Sequence, residues 1–350
     1  EGISGTAYVP NRHWYKTGKQ PSLGWKQEAL LVRERIIGRY KEWGIGGDEL
    51  PVLSALTVGY KTDLSDELRH QYSAAGISHV LALSGMHIGF LWMLIHVALK
   101  PLDRIPFRKF KCLVATMLLW AFAFIAGLEA AVVRAVIMCM LLEWGRVSGR
   151  KSLTIHTLSM AAFFMLLYNP FYLYDIGFQL SFISVISILM FYRHFQSLCP
   201  SSHALVCSVW SMMSASMAAQ LGTAPWVMYY FSNFSVYFLL ANIGVALWVP
   251  CILYMAFATM LMDWCPWIHG WMVRGLDFMV GTLNALAGCI SEWPYAVWSS
   301  ARLHPLEVWA IYGVLGALGY HLTIRHRGSF FMLLVSLAVW LALHCWLLLK

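Results

Sequence analysis

The stretch VYFLLANIGVALWVPCILYMAFATMLM at residues 236–262 decides the fold class, because it contains no charged residue from end to end. A helix of about 20 apolar residues is long enough to cross the hydrocarbon core of a bilayer. Similar runs recur from residue 79 to the end of the chain, which is 59% hydrophobic and only 12% charged. A soluble domain carries about 25% charged residues. The sequence therefore predicts an all-α polytopic membrane protein and argues against a soluble enzyme.

The apolar runs divide the membrane region into about nine crossings and a tenth near the end of the chain. The run at 270–292 contains charged residues, so lying in the membrane interface is an alternative for it. The expected spans are 79–99, 112–128, 131–145, 153–168, 176–192, 204–229, 236–262, 270–292, 305–322 and 329–349.

The region before the spans has a different composition. Residues 1–24 are polar and turn-rich and suit the tail of an upstream domain, and the first residue is Glu1, so we expect a longer protein. Residues 25–43 have an apolar face from Trp25 to Trp43 and a basic opposite face, which predicts an amphipathic helix. This helix either lies on the membrane surface or packs on the rest of the protein. Residues 25–76 therefore lead into a transmembrane domain at 77–350.

The distribution of basic residues predicts the orientation. The formal net charge of +8 is best explained by the excess of Lys and Arg in cytoplasmic loops, with a nucleic-acid surface as the alternative. Alternation of the spans places residues 1–78 and the loops at 129–131, 169–175 and 231–235 outside. The basic residues expected inside are Lys100, Arg104, Arg108, Lys109, Lys111, Arg146, Arg150 and Lys151. Arg193, Arg325 and Arg327 are also expected inside, provided that 270–292 crosses the membrane.

Polar residues inside the spans need a partner or a function, because each costs a few kcal/mol in hydrocarbon. His79, Ser84, Gly85 and His87 lie at the outer end of the first span, where a hydrogen-bonded cluster between helices is the structural alternative. The sequence lacks the GxSxG motif of a serine hydrolase, and its eight Cys include no CxxC pair that would indicate a metal site.

Further polar groups follow in the next spans. Arg134 either pairs with Glu129 across a turn or faces a polar cavity. Asp175 suits a helix N-cap, which leaves Gln179 and Ser181 unexplained in hydrocarbon.

Two prolines are expected to break helices beside polar amides. Gln220 precedes Pro225, and Asn242 precedes Pro250 in the next span. Proline frees a backbone carbonyl, and broken helices beside polar side chains are typical of translocation paths. These groups together favour a polar cavity or channel within a bundle of broken or kinked helices.

The same residues resemble the signature of the ComEC-type competence proteins, which are inner-membrane channels for transforming DNA. The segment from His79 to Ile88 is similar to the family pattern H-[LV]-L-A-[ILV]-S-G-[LM]-H-[VI], with Met86 where Leu is more usual. The run at 134–138 resembles the R-A-x-x-M helix, and 169–182 resembles the block N-P-x-x-L-x-D-x-G-F-Q-L-S-F. The resemblance extends over roughly residues 50–325.

This resemblance implies that single-stranded DNA passes through the cytoplasmic membrane beside these residues. It implies an OB-fold-like extracytoplasmic domain before residue 25, and a DNA receptor and ATP-driven uptake machinery as partners. The metallo-β-lactamase signature H-x-H-x-D-H is absent, so we expect no enzymatic activity, metal or cofactor. A transporter of another anionic solute and a membrane scaffold are the alternatives. The expected path residues are His79, Ser84, Gly85, His87, Arg134, Asp175, Gln179, Ser181, Gln220 and Asn242.

Overall fold

The computed structural model describes residues 24–102, 107–149, 154–199, 201–299 and 303–348. The predicted tail of an upstream domain at residues 1–24 lies outside these ranges except for Gly24, as do the loop residues Arg104, Arg150 and Lys151. Two 3-10 turns lie at Lys100–Leu102 and Pro170–Tyr174. The other elements are α1 (Trp25–Glu42), α2 (Glu49–Val58), α3 (Asp66–Ala74), α4 (Ser78–Leu81), α5 (Gly85–Ala98), α6 (Arg108–Ile125), α7 (Ala130–Val147), α8 (Thr154–Tyr168), α9 (Ile176–Gln196), α10 (Ala204–Phe231), β1 (Asn233–Ser235), α11 (Phe238–Leu261), α12 (Pro266–Ser291), β2 (Val297–Ser299), α13 (Pro305–Ile324) and α14 (Arg327–Leu348).

The helices confirm the predicted fold class. Among the described residues, α9, α10, α11, α12 and α14 are long and apolar enough to cross a membrane. Helices α2, α5 and α8 are shorter but also apolar. The only sheet in the described ranges has two strands of three residues each. The chain is therefore an all-α polytopic membrane protein.

The first predicted span is divided in the structure. The prediction gave one helix at 79–99, whereas α4 ends at Leu81 and α5 begins at Gly85. The backbone between them is extended at Ala82 and Ser84. By contrast, α10 continues through Pro225 and α11 continues through Pro250. The helix breaks predicted at these two prolines are therefore wrong, and the observed interruption lies ahead of α5, at the polar segment.

Helices α9, α10 and α13 pack closely because small residues lie where they meet. A Cβ atom on Gly222 of α10 would lie 2.4 Å from the Cβ of Ser187 in α9. The Ser187 hydroxyl donates to the Ala218 carbonyl at 2.5 Å, and the Tyr312 hydroxyl of α13 donates to the Gly222 carbonyl at 2.8 Å. Close backbone approach and interhelical hydrogen bonds stabilise helix association in a membrane, where burial of apolar surface contributes little.

The two short strands connect the loop before α11 to the loop after α12. Phe234 of β1 pairs with Trp298 of β2 in an antiparallel register. Since α11 follows β1 directly and α12 ends shortly before β2, the two helices form a hairpin that returns to the end where it began. Helix α13 therefore starts at that end whether or not the hairpin crosses the membrane. The predicted inner position of Arg325 and Arg327 does not depend on the hairpin.

Helices α1–α4 pack with α11 and α12 around a shared hydrophobic core, and we call these six helices the cap. The buried Tyr72 hydroxyl of α3 donates to the Asn284 side chain of α12 at 2.8 Å. A Cβ atom on Gly76 would lie 2.7 Å from Oγ of Ser235, so this turn touches the sheet directly. The cap therefore contacts the loop at 231–235, which the sequence predicts to be outside.

The amphipathic helix α1 packs on the rest of the protein over its C-terminal half, while contact of its other half with the membrane surface stays a prediction. Its C-terminal half is packed, with Ile37 and Tyr40 buried, and the Tyr40 hydroxyl donates to Thr57 at 3.1 Å. Burial raises the pKa of the Tyr40 phenol to about 12, so this donor keeps its proton at neutral pH. Its N-terminal half is open, since Trp25 is 85% exposed.

The C-terminal ends of α6 and α11 meet at a small apolar cavity of about 60 Å³. Phe122 and Ile125 of α6 line it together with Met260 of α11, and Ile36 and Tyr40 of α1 complete the wall. Alternating spans would put these two helix ends on opposite faces, about 30 Å apart. The predicted alternation, which places the C-terminal end of α6 outside and that of α11 inside, is therefore not compatible with this contact. Whether 270–292 crosses the membrane or lies in its interface stays a prediction, since α11 and α12 are both long and apolar enough to cross.

Candidate translocation path

The segment between α4 and α5 carries the polar residues that the sequence singled out. Ser84 is the N-cap of α5, and Nδ1 of His87 lies 3.2 Å from the Ser84 backbone nitrogen and 3.0 Å from its hydroxyl oxygen. The two side chains thus form a reciprocal cap of the helix start. His87 is only 1% exposed, and its Nε2 has no hydrogen-bond partner among the described residues. The Ser84–His87 contact therefore holds Nδ1 of the imidazole and leaves its Nε2 without a partner among the described residues.

Gly85 allows Arg134 to approach this helix start. A Cβ atom at Gly85 would lie 3.3 Å from a terminal guanidinium nitrogen of Arg134 and 3.8 Å from the Cβ of Ala135. The side chain of Arg134 therefore passes directly over the first turn of α5. Its guanidinium also lies over the ring of Phe182 in α9, 5.7 Å from the ring centroid. Arg134 of α7 consequently joins three helices at one point.

Arg134 forms no ion pair within the described part of the chain. It is 6% exposed, and its Nε has no hydrogen-bond partner there. The alternative of a Glu129–Arg134 pair is wrong, because Glu129 pairs instead with Lys61 at 2.7 Å. Lys61 reaches Glu129 because it follows α2, which packs beside the turn between α6 and α7. The contact with Phe182 supplies about 0.5–2 kcal/mol, which does not replace a carboxylate partner for a buried cation.

His79 lies in α4, ahead of the spanning segments, and its side chain is exposed. Nevertheless, the surrounding protein desolvates the imidazole and lowers its pKa, while a hydrogen bond with the Gly76 backbone acts in the opposite direction. The imidazoles of His79 and His87 are close enough to interact electrostatically. His79, Ser84, Gly85, His87 and Arg134 therefore form one cluster, which we call the His–Arg cluster.

The candidates on α9 have local structural roles. Asp175 is exposed and caps α9, since its carboxylate accepts from the Phe178 backbone nitrogen at 2.7 Å. Gln179 donates to the Leu173 carbonyl at 2.8 Å and accepts from the Tyr230 hydroxyl at 3.1 Å, so it ties the outer turn to α10. Ser181, next to Phe182, has a buried hydroxyl without a partner in the described chain.

The two remaining candidates lie on other helices. Gln220 is half-buried on α10, and Asn242 of α11 has a buried Oδ1 without a partner among the described residues. Neither the cavity at α1 nor a larger groove between α9 and α13 is lined by any of the ten candidates. The contacts thus bring together the five residues of the His–Arg cluster. A shared path for all ten candidates stays a prediction.

Sequence reasoning missed a second polar network at the other end of α5 and α7. Nε2 of His96 lies 3.3 Å from the buried carboxylate of Glu143, which Arg146 also approaches at 3.3 Å. The ring of Trp92 lies 4.3 Å from that of His96, centroid to centroid and at a tilt, and the Arg146 guanidinium lies over its face. Lys111, predicted in the inner loop, is buried in the first turn of α6. A buried acid flanked by basic residues in an apolar run was the signal that could have revealed this network.

The family model described as Competence protein matches residues 56–325, which is well over half of the chain. The chain belongs to the competence protein family. All ten candidate residues, and therefore the whole His–Arg cluster, lie within the matched range. Membership supports a role in competence and DNA uptake.

Curated relatives of this competence protein match over parts of their length. ComE operon protein 3 of Bacillus subtilis (strain 168) is 28% identical over 216 residues, which cover 60% of this chain and 26% of that protein. An uncharacterized protein of Aquifex aeolicus (strain VF5) is 28% identical over 166 residues, which cover 47% of this chain and 36% of that protein. The chain therefore aligns with about a quarter to a third of each relative. No solved structure matches it.

Proposed function

We propose that this chain forms the membrane conduit through which single-stranded DNA crosses the cytoplasmic membrane during natural transformation. The observation that carries the proposal is the buried guanidinium of Arg134, which has no carboxylate partner among the described residues. An unpaired buried cation costs several kcal/mol and is retained where it has a function. DNA presents one phosphate charge per nucleotide, so a passing strand would pair with Arg134 transiently.

The rest of the His–Arg cluster suits weak, repeated contact with a moving strand. The unpaired Nε2 of His87 can exchange a hydrogen bond with a phosphate, sugar or base as the strand passes. His79 would meet the strand first, because it is exposed and lies ahead of α5. A path with one cation and two imidazoles holds phosphates less tightly than an arginine-rich groove. Weak binding favours transport, since a strand that binds tightly does not move on.

Exposed aromatic residues surround the outer turns of the bundle. Tyr168, Phe171 and Tyr174, at the turn between α8 and α9, are 83%, 77% and 78% exposed. Aromatic rings at this level anchor a protein in the membrane interface, and they also offer faces on which unpaired bases stack. We propose that these rings mainly anchor the protein in the membrane interface. They would also stack on bases if DNA enters near this turn.

We further propose that this chain has no hydrolytic activity of its own. The contact between Ser84 and His87 is accounted for as a helix cap, and no carboxylate orients the imidazole within the described ranges. A serine nucleophile requires a histidine base that is oriented by a third group. Among the described residues, no group of three or more His, Cys, Asp or Glu could hold a metal ion.

The location and partners are proposals for the whole protein, of which this chain aligns with a part. We place the bundle in the cytoplasmic membrane, with residues 1–78 on the extracytoplasmic side. A DNA receptor would deliver the strand to the cap, and ATP-driven machinery would take it up on the inner side. The basic residues at the opposite end of the bundle, including Arg193 and Arg325, agree with that orientation.

The experiment that tests the conduit uses the full-length protein in a naturally transformable host. Arg134→Gln and His87→Gln are expected to leave surface-bound DNA unchanged and to lower nuclease-resistant DNA in the cytoplasm about tenfold or more, because the first removes the buried positive charge and the second removes the imidazole. Arg274→Gln is the matched control, since this exposed arginine of α12 lies outside the cluster. Normal uptake by the Arg134 and His87 variants, at normal abundance, would contradict the proposal.

Two alternatives give different results in the same experiment. A transporter of another anionic solute would lose uptake of that solute while its DNA uptake stayed constant. A membrane scaffold would lose abundance in the membrane, because removing a residue that only joins helices lowers stability without a separate effect on transport. Measuring abundance beside uptake therefore separates the three possibilities. The conduit alone predicts normal abundance with lost DNA uptake.

A further inference from the structure

A second cavity lies on α9 and α13, and none of the residues that line it belongs to the His–Arg cluster. It is a groove of about 690 Å³ between the C-terminal halves of α9 and α13. Its size falls within the range of about 300–1,000 Å³ that is typical of small-molecule sites. Leu189, Met190 and Leu322 contribute apolar walls, while Arg193 and His194 of α9 line its end. The groove is therefore apolar along its length and basic at one end.

The groove exists because α13 carries glycines on this side. A Cβ atom at Gly316 would meet nothing within 4 Å, so the space beside it is open. A Cβ atom at Gly319 would lie 2.4 Å from the terminal methyl of Met190, so the two helices touch there and form the floor. The glycines thus set both the depth and the width of the groove.

The basic end of the groove has charges without acidic partners. Arg193 is exposed and forms no hydrogen bond or ion pair within the described part of the chain, and the exposed Tyr320 phenol likewise has none. Arg325 and Arg327 follow at the same end, in the turn from α13 to α14. The sequence contains no Asp or Glu from residue 176 to 231 or from 308 to 348. The neighbouring helices therefore supply cations here and no carboxylate.

We propose that this groove binds a phospholipid with an anionic headgroup. One acyl chain would lie along Leu189 and Leu322, and the phosphate would accept hydrogen bonds from Arg193 and Tyr320 at the basic end. The apolar walls favour a lipid over DNA, because a nucleic acid would bury charged phosphates against leucine and methionine. Basic pockets between spanning helices are the usual form of anionic lipid sites. The site is separate from the proposed conduit and does not depend on it.

The test is native mass spectrometry of the full chain in mild detergent, with dioleoyl phosphatidylglycerol and dioleoyl phosphatidylcholine added in equal amounts. Wild-type protein is expected to retain one phosphatidylglycerol preferentially. Arg193→Gln should weaken that binding about tenfold, because it removes a charge-assisted hydrogen bond, and Arg193→Lys should restore part of it. Equal retention of both lipids by wild-type protein would overturn the proposal.

A second, independent test fills the groove with a larger side chain and compares it with a matched control variant. Gly316→Leu should abolish preferential retention, because the new side chain occupies the space of the acyl chain. Gly313→Leu adds the same side chain one turn earlier on α13, also into open space, but outside the groove, and should retain the lipid. The proposal fails if the two variants behave alike. It also fails if an oligo-dT strand displaces the lipid in an Arg193-dependent manner, which would identify a nucleic-acid contact instead.

Discussion

Replacing Arg134 by methionine should make the protein more stable and yet stop DNA uptake. The guanidinium is 6% exposed and has no ion pair within the described ranges. Insertion scales assign about 2.5–3.5 kcal/mol to an arginine at the centre of a spanning helix. Against this stands the contact with Phe182, 5.7 Å from the ring centroid, which is worth about 0.5–2 kcal/mol. The difference predicts a gain of about 0.5–3 kcal/mol in the free energy of unfolding for Arg134→Met.

The assay combines two measurements on the same variant. Unfolding of purified protein, titrated with denaturing detergent, gives the change in stability, and uptake of labelled DNA gives the change in function. Arg274→Met is the control, because an exposed arginine should change stability by less than about 0.5 kcal/mol. A loss of stability of about 1 kcal/mol or more in Arg134→Met would refute the argument, since it would show that Arg134 holds the helices together. Unchanged uptake would refute its role in transport.

Two further predictions concern the packing that positions the path. Gly222→Ala should destabilise the bundle by about 1–3 kcal/mol, measured by the same unfolding titration, because its Cβ would lie 2.4 Å from the Cβ of Ser187; Gly313→Ala, in open space, is the control and should be neutral or slightly stabilising. Tyr72→Phe should lower cap stability by about 1–3 kcal/mol, seen as faster proteolysis of the cap, because it leaves the Asn284 carbonyl oxygen without its donor. Unchanged proteolysis would show that this hydrogen bond contributes nothing net.

The cluster itself was only partly visible in the sequence. The segment from His79 to His87 stood out because two imidazoles and a hydroxyl interrupt an apolar run, and such groups are costly in hydrocarbon. That Ser84 and His87 cap a helix start was not predicted, because the run was assigned to one continuous span. In the sequence, Phe182 is only the last residue of the motif at 169–182, although its ring lies under Arg134 in the structure. Contacts between α5, α7 and α9 are not encoded in local spacing.

By itself, the sequence determined the fold class, the positions of most helices and the identity of the polar residues that need a partner. It could do so because crossing hydrocarbon requires long apolar runs and makes every polar exception conspicuous. Only the tertiary structure decided that Glu129 pairs with Lys61 and leaves Arg134 over the first turn of α5, and that α11 returns toward the end of α6. Those outcomes depend on which helix faces which. Many arrangements bury the same apolar surface equally well, and close contacts at a few small residues select among them.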